Sequence, residues 1–120
     1  MKFTFGIITN TTVPNRVIES IVNQNISEYE IIIVGGENNY QNYNIRHFYF
    51  NENDGNFTAK KNSITRHAKY DNIVYTHDYV EFLDGWYDGF LKFGDDWDIC
   101  MNTFLNSDDS RFRDWCAWDD

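Results

Sequence analysis

The chain has 120 residues, of which 42% are hydrophobic and 18% aromatic. This length and composition are typical of one globular domain with a core of its own, and they exclude a disordered chain. The formal net charge of −9 comes from 19 acidic and 10 basic residues, so most of the surface repels a nucleic-acid backbone. We therefore expect no nucleic-acid partner, whereas a divalent cation can offset the acidity locally.

The two cysteines, Cys100 and Cys116, are too few for a disulfide framework and lack the spacing of a zinc site. No apolar run approaches the roughly 20 residues that a membrane-spanning helix needs. The apolar run at residues 3–8 has no cleavage site and predicts a first strand rather than a signal peptide. These features predict a cytoplasmic protein with reduced thiols and no transmembrane segment.

The first half of the chain alternates apolar runs with one helical pattern. Residues 3–9 and 30–34 predict strands, and the second run is continuous and β-branched, as in a strand buried on both faces of a parallel sheet. Between them, apolar residues recur at helical spacing after Pro14. Residues 45–51 predict a third strand.

The second half continues the alternation. A helix is predicted at residues 57–68, a strand at 72–76, an amphipathic helix from about residue 79 to 91, and a last strand at 97–105. The resulting order, β-α-β-β-α-β-α-β, predicts a single α/β domain over residues 1–120 with a mostly parallel sheet flanked by helices. Ligands of such sheets bind at the carboxyl ends of the strands, which directs attention to the loops that follow the predicted strands.

His77 and Asp78 follow the predicted fourth strand directly. A carboxylate in this position can hold Mg²⁺ or Mn²⁺ against a diphosphate, because hard cations prefer oxygen ligands and often use only one or two carboxylates plus phosphate oxygens. The same two residues can equally cap the following helix, since Asp is a strong N-cap residue. Spacing alone leaves both interpretations open.

Two other features are similarly ambiguous. Lys60, Lys61 and Arg66 lie on one predicted helix, where they can meet phosphate oxygens or form a solvated face. The Gly35-Gly36 pair lets the backbone approach a ligand closely, but it is also an ordinary turn after a strand.

The order and spacing of five stretches resemble the donor-binding half of family-2 glycosyltransferases, which have the GT-A fold. The resemblance covers about residues 3 to 105. The stretches are FGIIT at 5–9, SIVNQ at 20–24, YEIIIV at 29–34, AKKNSI at 59–64 and VYTHDY at 74–79.

The resemblance implies a nucleoside-diphosphate sugar as donor, a saccharide or glycan as acceptor, and Mn²⁺ or Mg²⁺ as cofactor. The residues that it places around the nucleoside are Thr9, Asn10, Gly35, Gly36 and Glu37. The basic residue before an asparagine, which faces the diphosphate or donor sugar, corresponds to Lys61 with Asn62. The Asp-x-Asp signature corresponds to Thr76, His77 and Asp78, with Asp78 as the metal ligand.

The chain departs from the family in three places. Gly35-Gly36 stand where acidic residues usually end the second strand, and Thr76 replaces the first Asp of the signature. The acceptor-binding half is largely missing, so we expect a fragment or a shortened protein, and an unpaired edge that favours homo-oligomers. Weak candidates for the catalytic base are Asp114 and Asp119. Trp115 and Trp118 beside them can form a sugar platform or pack on the sheet.

The alternatives differ in class. A non-catalytic nucleotide-sugar-binding module keeps Lys61 and Asp78 without an acceptor half. A nucleotidyltransferase is expected to carry a Gly-rich phosphate loop near its first strand, and residues 10–15 contain no glycine. An α/β interaction domain without a small ligand predicts that substitution of Asp78 alters nothing but stability.

Overall fold

A computed structural model describes residues 1–41, 43–51 and 57–112. In these residues strands and helices follow one another as β1 (Phe3–Ile8), α1 (Asn15–Val22), β2 (Tyr29–Val34), β3 (Ile45–Phe48), α2 (Phe57–His67), β4 (Asn72–His77) and α3 (Trp86–Phe93). No helix among them is long and apolar enough to span a membrane.

The four strands form one parallel sheet in the order β3-β2-β1-β4. The prediction of an α/β fold with a parallel sheet is therefore confirmed. The chain moves outward from β1 to β2 and β3, then crosses back to place β4 on the other side of β1. The carboxyl ends of β1 and β4 are therefore neighbours, but the loops that follow these two strands lead away from each other. Open parallel sheets bind ligands at such a point of reversal.

One face of the sheet is covered by α1 and α3. Alternate residues of β1, including Phe3 and Phe5, point into this layer and pack with a cluster of aromatic rings. The Trp86 ring of α3 lies with its centroid 5.6 Å from that of Phe3 and 5.7 Å from that of Phe5. Offset and edge-on aromatic contacts of this kind fix α3 against the sheet beyond the effect of burial alone.

The opposite face is covered by α2. Its core is small and aliphatic, formed by Ile8, Ile32, Val34 and Ile64. A Cβ atom built on Gly6 would lie 2.4 Å from Cγ2 of Ile64. Glycine at this point of β1 therefore allows α2 to approach the central strand closely.

The predicted strand at residues 97–105 is absent from the described structure. Only Leu105 forms a bridge, to Arg111. A strand needs a partner edge for its backbone groups, whereas this segment is held by side chains, with Trp97 and Cys100 packed against the aromatic cluster. Ile99 is 89% exposed, so the apolar residues of this segment are not buried between layers as those of an inner strand are.

Two element boundaries also differ from prediction. β3 ends at Phe48 rather than Asn51, and α3 begins at Trp86 rather than near residue 79. The helix starts late because Gly85 has a φ of 86°, in the left-handed region. The apolar spacing of residues 82–91 suggested a longer helix because Phe82 is buried as well, but Phe82 lies in the loop before α3.

Candidate functional site

The carboxyl ends of β1 and β4 are joined by a side-chain hydrogen bond. The Thr9 hydroxyl donates to Asp78 Oδ2 at 2.8 Å, and Thr9 Oγ1 accepts from the Thr11 backbone N–H at 3.1 Å. Thr9 is buried, whereas Thr11 is exposed and Asp78 is half-buried. The hydroxyl thus orients a carboxylate at the carboxyl edge of the sheet while it also shapes the loop that leaves β1.

A buried ammonium lies beneath the same loop. Lys60 is 2% exposed, and its Nζ donates to the Thr9 carbonyl at 3.0 Å and to the Asn10 side-chain oxygen. A lysine is almost never fully buried without partners, so these contacts explain how α2 holds a charge in the fold. Lys60 therefore anchors the loop between β1 and α1 from the side of α2.

The glycine pair after β2 brings a second loop to this edge. Gly36 has a φ of 61°, and a Cβ atom there would lie 2.1 Å from the Thr11 carbonyl oxygen. The same carbonyl accepts a hydrogen bond from the Glu37 N–H at 2.9 Å. Only glycine permits both the left-handed backbone of Gly36 and its close approach to the Thr11 carbonyl. The glycine pair therefore allows the loop after β2 to contact the loop after β1.

His77 lies beside Asp78 with a lowered pKa. Burial is the main cause, and the positive charge of Lys61 lowers the pKa further, while Asp78 opposes the shift. The imidazole is therefore neutral at neutral pH. Lys61, which is half-buried, thus influences the end of β4 through its charge.

The segment between β4 and α3 is held by Ser20 of α1 and by Gln24, which lies two residues after α1 ends. Ser20 Oγ accepts the Phe82 N–H at 3.0 Å. Gln24 accepts the Tyr87 N–H at 3.0 Å and donates to the Leu83 carbonyl at 2.9 Å. The Ser and Gln of the SIVNQ stretch therefore fix the loop that carries Asp78, a role that the spacing of the stretch did not reveal.

The structure brings most of the predicted site residues to one edge of the sheet, although not all of them. Around the ends of β1, β2 and β4 lie Thr9, Asn10, Gly35, Gly36, Glu37, Lys61, His77 and Asp78. Thr76 is buried at 6% exposure, level with Ile7 in the sheet register, so it lies inside the sheet. Asn62 is exposed on α2. Asp114 and Asp119, together with Trp115 and Trp118, lie outside the described residues.

Sequence reasoning singled out Lys61 of the Lys60-Lys61 pair and missed the structural role of Lys60. Helical periodicity contains the signal for this role, because Lys60 lies four residues before the fully buried Ile64 and therefore on the same inner face of α2.

The donor atoms suit a hard cation only in part. Among residues 1–41, 43–51 and 57–112 no three His, Cys, Asp or Glu side chains come together as a metal-binding group. Asp78 supplies one carboxylate, and His77 adds an imidazole beside it. Mg²⁺ commonly uses one or two carboxylates and completes its shell with water and substrate phosphates, so this edge fits a cation that binds together with a phosphorylated ligand.

Comparisons with protein-family models, with curated proteins and with solved structures found no match for this chain.

Proposed function

We propose that this domain binds a nucleoside-diphosphate sugar at the carboxyl ends of β1, β2 and β4, as the donor-binding part of a metal-assisted glycosyltransferase of the GT-A type. The observation that carries the proposal is the hydrogen bond between Thr9 and Asp78 across the point where the strand order reverses. This places a carboxylate where open parallel sheets bind ligands. The resemblance of the five stretches to family-2 enzymes supports the same assignment.

The diphosphate lies over the ends of β1 and β4 in this proposal. Asp78, with phosphate oxygens, would hold Mn²⁺ or Mg²⁺, and the bound cation supplies charge that stabilises the leaving diphosphate. Lys61 adds a positive charge from the side of α2, and Lys60 keeps Thr9 and Asn10 in place through its contacts. The loops at Asn10 and at residues 35–37 take the nucleoside.

In the transfer itself, the bond between the anomeric carbon of the sugar and the diphosphate oxygen breaks, and an acceptor hydroxyl bonds to that carbon. The proton of the hydroxyl passes to a carboxylate. Asp114 and Asp119 remain the predicted candidates for that base. Fixed charges beside the leaving group lower such barriers by about 3–4 kcal/mol each.

Calorimetric titration with UDP, GDP and dTDP, each with and without Mn²⁺, tests the proposal. Wild type should bind at least one of them in a manner that needs Mn²⁺, and Asp78→Ala should abolish the Mn²⁺-dependent part. Circular dichroism establishes that both proteins are folded. A folded wild type that binds none of the three at millimolar concentration contradicts the proposal.

A further inference from the structure

Three aromatic rings form a row beside Asp78. The His77 and Tyr79 rings are stacked, with centroids 5.4 Å apart and planes inclined by 20°. Phe57, at the start of α2, meets His77 edge-on at 5.3 Å. Tyr79 is 69% exposed and Phe57 59% exposed, so the row presents ring surface to solvent next to the proposed metal ligand.

This row is separate from both cores of the domain. Neither the aromatic cluster beneath α1 and α3 nor the aliphatic cluster beneath α2 includes Tyr79 or Phe57. Tyr79 therefore contributes little to the packing of the sheet. A large ring that is held in a stack and yet exposed, at the edge where ligands of parallel sheets bind, suits contact with a ligand.

The strand order decides which part of the donor reaches Tyr79. Neighbouring strands lie about 4.8 Å apart, so the ends of β2 and β4 are separated by about 10 Å. With the nucleoside at residues 35–37 after β2, the diphosphate spans β1 and the end of β4. Among the described strands, β4 is the edge strand on the side of the sheet opposite β3. The sugar that is attached to the diphosphate would therefore lie over His77 and Tyr79.

We infer that Tyr79, stacked on His77, is a platform for a pyranose ring. A pyranose presents a face of C–H groups that packs on an aromatic ring, and its hydroxyls find acceptors in carboxylates such as Asp78. This inference rests on the proposed function for the direction of the donor. The ring can come from the donor sugar or from the saccharide acceptor, since both meet at the anomeric carbon.

The test compares Tyr79→Ala and Tyr79→Phe with wild type. Phe93→Ala is the matched control, because Phe93 is a 65% exposed aromatic residue at the C-terminal end of α3, near Phe90, which packs on Phe3 at the start of β1. The donor probes are UDP-glucose, GDP-mannose and dTDP-glucose, each compared with the nucleoside diphosphate that lacks the sugar. The acceptor probes are methyl β-glucoside and methyl α-mannoside. Affinity comes from calorimetry, and contact with the ring from NMR shifts of Tyr79.

If the donor sugar uses the platform, Tyr79→Ala weakens the nucleotide sugar about tenfold and leaves the parent diphosphate unchanged, as expected for loss of one aromatic contact. If the acceptor uses it, Tyr79→Ala weakens a methyl glycoside instead. In both cases Tyr79→Phe and Phe93→Ala bind like wild type.

Equal binding of all sugar probes by Tyr79→Ala and wild type overturns the inference. So does a wild type that binds neither a nucleotide sugar nor a methyl glycoside. Failure of the proposed function is a different result: no nucleoside diphosphate binds, while a methyl glycoside that shifts the Tyr79 resonances still identifies the platform.

Discussion

Thr9 and Asp78 are 69 residues apart in the chain, yet the hydroxyl of one lies 2.8 Å from the carboxylate of the other. The contact exists because β1 and β4 are parallel neighbours with Ile8 paired to His77, so the first residue after each strand meets the other. A carboxylate that receives such a hydrogen bond is held in one orientation before a ligand arrives. Preorganisation of this kind lowers the entropic cost of binding.

Thr9→Val should weaken Mn²⁺-dependent nucleotide binding about tenfold, the equivalent of one hydrogen bond to a charged group. Valine has the shape of threonine but removes the donor to Asp78. Thr9→Ser restores the hydroxyl and should bind like wild type. Calorimetry with the best diphosphate provides the measurement, and unchanged affinity in Thr9→Val would show that Asp78 needs no positioning.

The two adjacent lysines of α2 should behave differently. Lys60→Met removes the donor to the Thr9 carbonyl and to Asn10, and should lower the free energy of unfolding by about 2 kcal/mol, because the buried Thr9 carbonyl is left unsatisfied. Lys61→Met should change stability by less than about 0.5 kcal/mol, since Lys61 is only half-buried. It should nevertheless weaken diphosphate binding.

Urea unfolding and nucleotide titration of both variants separate these roles. Equal stability of Lys60→Met and Lys61→Met would mean that the buried ammonium contributes nothing to the fold. Diphosphate affinity unchanged in Lys61→Met would remove this lysine from the proposed site.

The contrast between these lysines shows what could be predicted from sequence. Strand runs, their order and the parallel sheet follow from local patterns, because a continuous β-branched run such as residues 30–34 has few other structures available to it. The position of Asp78 at the carboxyl edge follows in turn. Which of two neighbouring lysines points inward depends on the phase of α2 against the sheet, and that phase is set by the close approach of Ile64 to Gly6.

The errors have a common physical origin. Residues 97–105 have the composition of a strand, but pairing depends on a free edge elsewhere in the fold, and Trp97 instead packs against the ring of Phe90 at a centroid distance of 5.4 Å. Likewise, apolar spacing predicted helix before residue 86, whereas Ser20 and Gln24 hold that segment as a loop through Phe82 and Leu83. Such tertiary contacts leave no trace in the local pattern.

Gly36→Ala should damage the site through the backbone. Its Cβ would overlap the Thr11 carbonyl oxygen, a backbone atom that cannot move without the β1–α1 loop. Gly85→Ala is the control, because Gly85 also has a positive φ but no atom within 4 Å of the added Cβ. Left-handed strain alone costs about 1–2 kcal/mol, so Gly36→Ala should lose more stability than Gly85→Ala.

Nucleotide titration distinguishes the two glycine variants further. Gly36→Ala should also bind the diphosphate more weakly, whereas Gly85→Ala should keep wild-type affinity. Equal losses in both measurements would indicate that the contact between the two loops has no influence on the site.

Gly6→Ala tests the contact between β1 and α2. The added methyl would overlap the side chain of Ile64, which is fully buried, so the free energy of unfolding should fall by about 1–3 kcal/mol. Gly89→Ala, in α3 with open space around its Cβ, should instead stabilise the protein by about 1 kcal/mol. Urea denaturation measures both, and a neutral Gly6→Ala would mean that α2 can withdraw without loss.

Glu30 gives the fold a pH dependence. Burial of this side chain raises its pKa, but hydrogen bonds from the Thr4 hydroxyl, the Lys69 N–H and Arg46, together with the charge of Arg46, outweigh burial and leave the pKa below 4.5. In its ionised form the carboxylate therefore ties β1, β2, β3 and the turn that follows α2 together. A lowered folded-state pKa stabilises the native protein above the unfolded-state pKa, and the contribution is lost as the pH falls through the folded-state value.

Glu30→Gln should lower the free energy of unfolding near neutral pH by about 2 kcal/mol, since it weakens hydrogen bonds to a charged group. It should also make stability decline less as the pH falls below 4.5, because the carboxyl group whose folded-state pKa is lowered is gone. Glu28→Gln is the matched control, because its ion pair with Lys2, at 2.9 Å, is exposed on both sides and contributes little to stability. Urea unfolding of the three proteins across this pH range measures the slopes. A wild type and Glu30→Gln with parallel curves would show that Glu30 keeps the same pKa in the folded and unfolded states.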